Sequence, residues 1–324
     1  AIMTSSIGKA AQRLEQLRKA GAVLPGDKPR VQNPGVPDES QPLNHVPQFA
    51  APAADGDHAA PELRAVSKTV QLDLTALSAS GFVTPGSPRS VTTDQYRVIK
   101  RPLLENAMGK GASLVTNGNL IMVTSALPGE GKSFTAINLA MSLAMELDHT
   151  VMLVDADVTR PSVMSKLGLP PAAGLLDMLR GGQTKLADVL LRTNVEGLTL
   201  LPAGLPHDRA TELLASDAMT DLLDEMSKRY SDRIIIFDSP PLLLTTEARV
   251  LANHMGQVVV VVRAEKTLQS EVEHALSTIE ACPIKLLVLN QVRSQGLGAH
   301  GYGYGYGHGG YGRATEERMP AAAA

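Results

Sequence analysis

The stretch that decides the fold is LIMVTSALPGEGKSFTAINLA, residues 120–140. Its first part, 120–124, is an unbroken apolar run of strand length, and residues 132–146 carry a helical pattern. Between them, 126–133 reads ALPGEGKS, which fits the phosphate-loop pattern G-x-x-x-x-G-K-[ST] except that Ala126 replaces the first glycine. Alanine is tolerated there if its backbone torsion is not left-handed. A loop between a buried strand and a helix is the context that this motif requires.

The position of the loop predicts how it would bind a nucleotide. Backbone N–H groups of residues 129–133, at the positive end of the helix, would meet phosphate oxygens. Lys132 would reach the β- and γ-phosphates, and the Ser133 hydroxyl would ligate Mg²⁺. We therefore expect ATP and Mg²⁺ as cofactors, against the alternative of a glycine-rich turn with an incidental lysine. The predicted contacts in the loop are Pro128, Gly129, Glu130, Gly131, Lys132, Ser133 and Phe134.

Apolar runs of strand length alternate with helical patterns from residue 119 onward. Continuous apolar strands separated by helices indicate a parallel sheet that is buried on both faces. The fold class predicted is therefore α/β, a P-loop NTPase-type doubly wound parallel sheet flanked by helices, which binds ligands at the carboxyl ends of its strands. The predicted strands are 120–124, 151–154, 198–201, 234–237, 258–262 and 285–289, and the predicted helices are 132–146, 210–229 and 267–280.

Acidic residues follow two of these strands. Asp155 and Asp157 end the strand at 151–154, and Asp238 ends the strand at 234–237. A carboxylate at the carboxyl end of a buried strand lies on the ligand side of the sheet. We predict Asp155, Asp157 and Asp238 as catalytic residues beside Lys132, with Ser133, Asp157 and Asp238 around the metal. For any one aspartate alone, helix capping is the competing explanation.

The last predicted strand ends in Asn290, and Arg293 follows it. At that edge of the sheet, an asparagine can hydrogen-bond an adenine base, so both residues are candidate nucleotide contacts. An ordinary turn asparagine explains the sequence about as well.

Composition limits the kinds of protein that this chain can be. The formal net charge of −3 over 324 residues gives no electrostatic footprint for nucleic acid, so no such partner is expected. A single cysteine, Cys282, rules out an intramolecular disulfide and fits a reducing compartment. The longest apolar runs fall far short of the ~20 residues of a membrane span, and the N-terminus lacks a secretory pattern. These features predict a soluble, cytoplasmic chain.

The parts outside this region differ in character. Residues 5–20 predict an amphipathic helix, and 22–62 are rich in Pro, Ala and polar residues, as in a disordered linker. Residues 63–91 are ambiguous, with short extended pieces as one interpretation, and a helix is predicted from Asp94 until Pro102 interrupts it. The domains predicted are an N-terminal helix at 1–21, a largely disordered linker at 22–90, a P-loop domain at 91–293 and a flexible tail at 294–324.

The tail is of low complexity, with glycine at nearly every second position of residues 294–313. Such a composition gives no core and a large ordering cost, so flexibility is expected. It carries four of the six tyrosines of the chain, Tyr302, Tyr304, Tyr306 and Tyr311.

Taken together, these motifs resemble the bacterial tyrosine kinases. More narrowly, the chain is similar to the exopolysaccharide-associated tyrosine autokinases that are encoded beside exosortase systems. The resemblance rests on ALPGEGKS at 126–133, on VDAD at 154–157 with RP at 160–161, on IFDSPP at 236–241, and on the tyrosine cluster. The stretches QYRVIKRPLL at 95–104 and KAAQRLEQLR at 9–18 are similar to the narrower subgroup.

The resemblance implies roles for these residues. Lys132 and Ser133 match the first Walker motif, and Asp238 matches Walker B. Asp155 and Asp157 match Walker A′, in which an aspartate helps to deprotonate the attacking tyrosine and assists Mg²⁺. The family implies an ATP-dependent protein-tyrosine autokinase that regulates exopolysaccharide synthesis or export. Its phosphoacceptors would be Tyr302, Tyr304, Tyr306 and Tyr311.

The resemblance also implies partners. In the family, subunits form a ring through a helix with Glu-x-x-Arg-x-x-Arg, and each tail enters the neighbouring active site. The matching positions here are Asp94, Arg97 and Lys100, of which two depart in residue type while keeping the charge. The family further implies an activator, the cytoplasmic segment of an inner-membrane polysaccharide co-polymerase. The chain would then be cytoplasmic, or peripheral at the inner membrane through that activator.

Two other functions remain compatible with the motifs. A partition- or division-type switch ATPase shares the phosphate loop, but it usually carries an early second lysine, in Lys-Gly-Gly-x-Gly-Lys-Thr. Leu127 occupies that position here. The other alternative is a nucleotide-binding adaptor of a polysaccharide export complex, in which the tyrosines of the tail serve only for stacking.

Overall fold

The computed structural model describes residues 68–111, 114–181, 184–230 and 232–293. The predicted N-terminal helix at 5–20, the linker at 22–62 and the tyrosines of the tail lie outside this part. The described strands are β1 (Lys68–Val70), β2 (Leu120–Ser125), β3 (Thr150–Asp155), β4 (Leu191–Thr193), β5 (Leu198–Leu201), β6 (Arg233–Asp238), β7 (Gln257–Arg263) and β8 (Ile284–Asn290).

Helices connect most of these strands. They are α1 (Leu74–Ala79), α2 (Val91–Ala107), α3 (Lys132–Ala144), α4 (Val163–Lys166), α5 (Leu175–Leu179), α6 (Leu186–Val189), α7 (Ala210–Leu214), α8 (Asp217–Arg229), α9 (Thr246–Ala252) and α10 (Gln269–Ser277). Within the described ranges, none is long and apolar enough to cross a bilayer.

The strands form one eight-stranded sheet in the order β1-β4-β5-β3-β6-β2-β7-β8. Every neighbouring pair is parallel except β4–β5. All six predicted strands are present, so the predicted doubly wound α/β class is confirmed, with one antiparallel pair added. The central strand β2 is buried along its whole length, because helices cover both faces of the sheet.

Each face of the sheet carries its own layer of core. Helices α1–α4 cover one face, and α5–α10 cover the other. On the first face the buried helical residues include Leu77, Leu104 and Ile137, and on the second they include Leu223, Leu251 and Ala275. Within the sheet, the parallel pairing of β6 with β2 and β3 places the carboxyl ends of these three strands side by side. Asp238 is paired in register with both Val123 and Asp155.

The folded domain extends further toward the N-terminus than the predicted boundary at residue 91. β1 pairs with β4, and Leu72, Leu77 and Val83 are buried in the core. The Asn194 side chain holds this segment by accepting from the Leu72 N–H at 2.8 Å and donating to its C=O at 3.1 Å. The sequence signal was weak because β1 has only three residues and is largely exposed.

Pro102 does not interrupt the helix around it, which corrects the prediction. α2 begins after the Ser90 cap, runs from Val91 to Ala107 and contains Pro102. A proline inside a helix leaves the carbonyl four residues earlier without its partner, here that of Val98. Val98 is 74% exposed, so we infer that water satisfies the freed carbonyl.

The helix predicted over 210–229 is two helices. α7 ends at Leu214 and α8 starts at Asp217, with the Ser216 hydroxyl accepting from the Met219 N–H at 3.3 Å. The Ser216 cap marks a new helix start that the apolar pattern alone does not reveal.

Candidate nucleotide-binding site

The predicted phosphate loop joins β2 to α3. Gly129 and Gly131 adopt left-handed torsions, with φ of 77° and 101°. Among described residues, the non-glycine residues with positive φ are Asn117, Glu265 and Gln291. Ala126 is therefore not left-handed, and the departure from the consensus at that position costs no backbone strain.

The side chain of Glu130 is directed into the protein. It is 2% exposed and accepts hydrogen bonds from the Leu127 N–H at 2.7 Å, the Arg263 N–H at 3.4 Å and the Thr267 hydroxyl. Glu130 thus fastens the loop to the end of β7, and only its backbone remains for the predicted phosphate contact. Thr267 was missed by the sequence reasoning, because nothing in the motif points to a residue so distant in the chain.

The end of β8 holds the same loop from another side. The Asn290 amide donates to the Glu130 C=O at 2.9 Å and accepts from the Gln291 N–H at 2.9 Å. The Gln291 amide donates to the Gly129 C=O at 3.4 Å. Both polar atoms of the Asn290 amide are thus hydrogen-bonded within the protein, which does not support the predicted contact with adenine. Asn290 is also more than an ordinary turn residue, because it holds the phosphate loop. Arg293, the other candidate, lies exposed at the end of the described part.

A cleft of about 610 Å³ opens over the loop. Three cationic side chains line it, Lys132, Arg160 and Lys166, against one carboxylate, Asp157. This charge balance suits a polyphosphate. The complete lining is Pro128, Gly129, Gly131, Lys132, Ser133, Phe134, Asp157, Thr159, Arg160, Ser162, Lys166, Pro241, Leu244 and Thr245. The sequence motifs predict no role in the cleft for Thr159, Arg160, Ser162 or Lys166, although Arg160 lies only three residues after Asp157.

Asp155 lies fully buried behind the cleft. Its Oδ2 accepts from the N–H groups of Ser162 and Val163, both at 3.0 Å, and so caps the start of α4. Its Oδ1 is buried without a hydrogen-bond partner in the described structure. Burial, together with the nearby charge of Asp238, raises the pKa of Asp155 to about 8. Asp155 therefore caps helix α4 and also lies at the edge of the sheet where the ligand is expected.

Asp238 is the most isolated acid of the site. Neither of its carboxylate oxygens makes a hydrogen bond of normal geometry with the described residues, although the Ser133 hydroxyl lies close enough to affect its pKa. Burial raises its pKa to about 7, an effect that Ser133 and the Lys132 ammonium oppose. Buried polar atoms without partners are rare in folded proteins, and at the ligand edge of a parallel sheet binding of a ligand or ion would explain them.

Asp157 is the predicted acid that faces the cleft. Its Oδ1 accepts from the Thr159 hydroxyl at 3.1 Å and the Arg160 N–H at 3.2 Å. Behind it, the Ser162 hydroxyl donates to the Ser133 hydroxyl at 2.8 Å, which connects the segment after β3 to the loop helix. The structure thus brings Lys132, Ser133 and the three predicted acids to one edge of the sheet.

The residues present fit a magnesium ion only in combination with a nucleotide. No group of three or more His, Cys, Asp or Glu that could hold a metal occurs in the described ranges. Mg²⁺ needs few protein ligands, because it keeps several waters and binds substrate phosphates. Ser133, Asp157 and the unpartnered Asp238 suit that kind of site.

The predicted oligomer contact needs a correction at Lys100. This side chain is buried between α2 and α3, where its ammonium donates to the Ser142 C=O at 2.5 Å and pairs with Glu146 at 2.7 Å. Its charge is paired with Glu146 inside its own domain. Asp94 and Arg97 remain exposed enough for a contact, and they pair with each other at 3.3 Å.

Comparison with known proteins identifies the family of the chain. The model of the AAA domain family matches residues 118–287, slightly more than half of the chain. Tyrosine-protein kinase YwqD of Bacillus subtilis is 32% identical over 200 residues, which cover 62% of this chain and 80% of that protein. Tyrosine-protein kinase ptk of Acinetobacter johnsonii is 34% identical over 182 residues, 56% of this chain but only 24% of that longer protein.

A solved structure agrees with these relatives. The BceF tyrosine kinase domain superposes with a TM-score of 0.53 at 26% identity, covering 68% of this chain and 91% of that one. The predicted family is confirmed, whereas the exosortase-associated subgroup stays a prediction. From its phosphate loop, its acidic strand ends and these relatives, the chain belongs to the family of bacterial tyrosine-protein kinases.

Proposed function

We propose that this chain transfers the γ-phosphate of ATP to tyrosines of its own C-terminal cluster, residues 302–311, within a homo-oligomer. The observation that carries the proposal is the unpartnered, buried carboxylate of Asp238, in register with Asp155 and beside Lys132 and Ser133. These groups lie at the carboxyl ends of parallel strands, the edge of the sheet at which a nucleotide's phosphates and their metal would bind.

Each residue has a separate task in this proposal. Loop N–H groups and Lys132 bind the β- and γ-phosphates, while Arg160 and Lys166 add positive charge to the same cleft. Magnesium, held by Ser133, Asp157 and Asp238, would neutralise the charge that develops on the phosphoryl oxygens. The residues therefore act mainly by positioning and by electrostatics, as phosphoryl transfer requires.

The proposed transfer forms one bond and breaks one. The phenolic oxygen of a tyrosine forms a bond to the γ-phosphorus, the bond to the β,γ-bridging oxygen breaks, and ADP leaves. A free tyrosine has a pKa of ~10, so the phenolic proton needs a base, and we assign that role to Asp157 of the Asp155–Asp157 pair. Of the two acids, only Asp157 lines the cleft.

The structure gives no support to the rival switch ATPase. The position of the early lysine is held by Leu127, which packs partly buried against the core. Its N–H donates to the Glu130 carboxylate at 2.7 Å, a hydrogen bond within the loop itself. Leucine has no cationic group that could contact the phosphates of a second subunit.

The biological setting follows from the family resemblance alone. We propose a role in exopolysaccharide synthesis or export, in a cytoplasmic protein that is peripheral at the inner membrane. Its activator would be the cytoplasmic segment of a polysaccharide co-polymerase, and its oligomer would form through the face of α2 that carries Asp94 and Arg97.

One experiment tests the proposal. Purified chain is incubated with Mg²⁺ and ATP labelled at the γ-phosphate, with and without the activator segment, and the label is mapped. We expect label on the tail tyrosines, none with Lys132→Met, and normal labelling with Lys228→Met, an exposed lysine on α8. Label retained by a chain truncated after Gln295 would contradict the tail as acceptor. ATP hydrolysis without any label would contradict the kinase.

A further inference from the structure

The last strand, β8, forms one edge of the sheet. It pairs with β7 along its whole length, and no described strand pairs with its other side. Edge strands expose a row of N–H and C=O groups that can accept another strand, so proteins usually protect them with charges, bulges or a covering segment. β8 reads IKLLVLN, in which Lys285 is the only charged residue.

One face of β8 is exposed and carries two leucines beside Lys285. Leu286 and Val288 pack against the core, whereas the alternate residues Leu287 and Leu289 are 56% and 62% exposed. Val292, two residues beyond the strand, is 61% exposed. The edge therefore combines free backbone groups with an aliphatic face, the combination that suits addition of a strand with large side chains.

The same chain contains a segment of matching period. Residues 301–306 read Gly-Tyr-Gly-Tyr-Gly-Tyr. Because side chains alternate between the two faces of an extended backbone, this order would place Tyr302, Tyr304 and Tyr306 on one face. Residues 291–300 separate the segment from β8, a connection long enough to reverse the chain direction.

We propose that residues 301–306 add to the free edge of β8 as an antiparallel strand, with their tyrosine rings over Leu287 and Leu289. Aromatic residues opposite aliphatic ones are favourable cross-strand pairs. Glycine disfavours strands, so the docking is weak and reversible. Attachment to the same chain compensates in part, because it raises the effective concentration of the segment at the edge.

The docking has a consequence that rests on the proposed kinase function. A phosphate adds a charge of about −1.5 to −2 to each tyrosine and strong hydration with it. A phosphotyrosine therefore does not fit over an aliphatic face. The edge of β8 would hold the unmodified acceptors and release them once they are phosphorylated.

Hydrogen exchange tests the docking without any kinase step. Phosphatase-treated full chain, free of ATP, is compared with the chain truncated after Gln295, and exchange of the peptide 284–290 is followed by mass spectrometry. We expect exchange about fivefold slower in the full chain. Replacing the three tyrosines Tyr302, Tyr304 and Tyr306 by Ser, or Leu287 and Leu289 by Thr, should abolish the difference. Leu147→Thr, at a fully exposed leucine outside β8, should leave it unchanged.

Equal exchange of 284–290 in the full and truncated chains would overturn the proposal. Protection that disappears on dilution would overturn it too, because a second copy of the chain would then be the occupant. A failure of tyrosine labelling leaves this measurement untouched, since no ATP is present, so the two proposals fail independently.

Discussion

Glu130 shows how a residue inside a nucleotide-binding motif can serve the protein and not the ligand. Its carboxylate is buried and receives donors from Leu127, Arg263 and Thr267. A buried carboxylate is tolerated only when hydrogen bonds satisfy it, and here the same bonds set the shape of the loop. Glu130 therefore acts as a positioning residue for the backbone N–H groups that would face phosphate.

Replacing this carboxylate by an amide should weaken nucleotide binding. In Glu130→Gln, the side chain loses one acceptor and turns an NH₂ group toward an N–H or a hydroxyl, which leaves a buried donor unsatisfied. That costs about 1–3 kcal/mol, so we expect the Kd for ATP to rise roughly tenfold by calorimetry. Glu271→Gln is the matched control, because Glu271 accepts from the Leu268 N–H at an exposed helix cap outside the loop. Equal Kd values for both variants would contradict this role of Glu130.

The two loop glycines should differ in their tolerance of alanine. Both have positive φ, but a Cβ at Gly131 would lie 2.1 Å from the Asn290 amide nitrogen, whereas one at Gly129 would meet nothing within 4 Å. Gly129→Ala should cost about 1–2 kcal/mol of unfolding free energy from torsion strain alone. Gly131→Ala should cost more and should also weaken ATP binding, because the Asn290 clamp is displaced. Urea denaturation and calorimetry measure both, and equal losses in the two variants would contradict the clamp.

Among the helices and strands, hydrophobic periodicity predicts the long buried ones and misses the short ones. The strands β2, β3, β6 and β7 are apolar runs inside the sheet, and their type follows from burial on both faces. β1 and the short helices α4, α5 and α6 have three to five residues each, too few to show a period. Pro102 misleads for another reason, because its cost depends on whether water can reach the carbonyl of Val98.

The packing of α2 on α3 depends on a buried ion pair. Lys100 has 5% of its side chain exposed and contacts both Glu146 and the Ser142 carbonyl, while Arg101 is 64% exposed and lies 3.7 Å from the same glutamate. Hydrogen bonding to Lys100 lowers the pKa of Glu146.

Removing the buried partner should therefore destabilise the domain. Lys100→Met leaves a partly buried carboxylate and a carbonyl unpaired, and we expect a loss of about 2 kcal/mol in urea unfolding. Arg101→Met, which removes an exposed charge near the same acid, should change stability by less than about 0.5 kcal/mol. If the two losses are alike, Lys100 is not the group that fixes α2 on α3.

For the whole molecule, the sequence predicts those parts of the candidate site that lie at the ends of neighbouring parallel strands. The loop after β2 and the acids after β3 and β6 come together because these strands are neighbours and parallel. Thr267 and Asn290, which hold the loop in place, belong to no local motif, since their role depends on the ends of β7 and β8 reaching the loop. Only the three-dimensional structure shows such contacts.

The buried acids also predict how stability varies with pH. The pKa of Asp155 is raised to about 8 and that of Asp238 to about 7, against ordinary values near 3.8 in the unfolded chain. Between those limits the folded state binds more protons than the unfolded state. A raised pKa stabilises the fold fully below the unfolded value, and this stabilisation is lost as pH rises through the folded value.

We therefore expect the metal-free protein to lose unfolding free energy as pH rises from about 5 to 7.5, with a slope of up to about 1.4 kcal/mol per pH unit from each group. Asp238→Asn removes one charge that must form in the core and should flatten the slope, whereas Asp224→Asn, at an exposed acid on α8, should not. Magnesium with a nucleotide supplies the positive charge that the carboxylates lack. It should therefore bind more tightly as pH rises over the same range, opposing the loss. Urea unfolding at several pH values, with and without Mg²⁺ and ADP, measures both trends, and a slope that Asp238→Asn leaves unchanged would show that this carboxylate is already ionised in the metal-free fold.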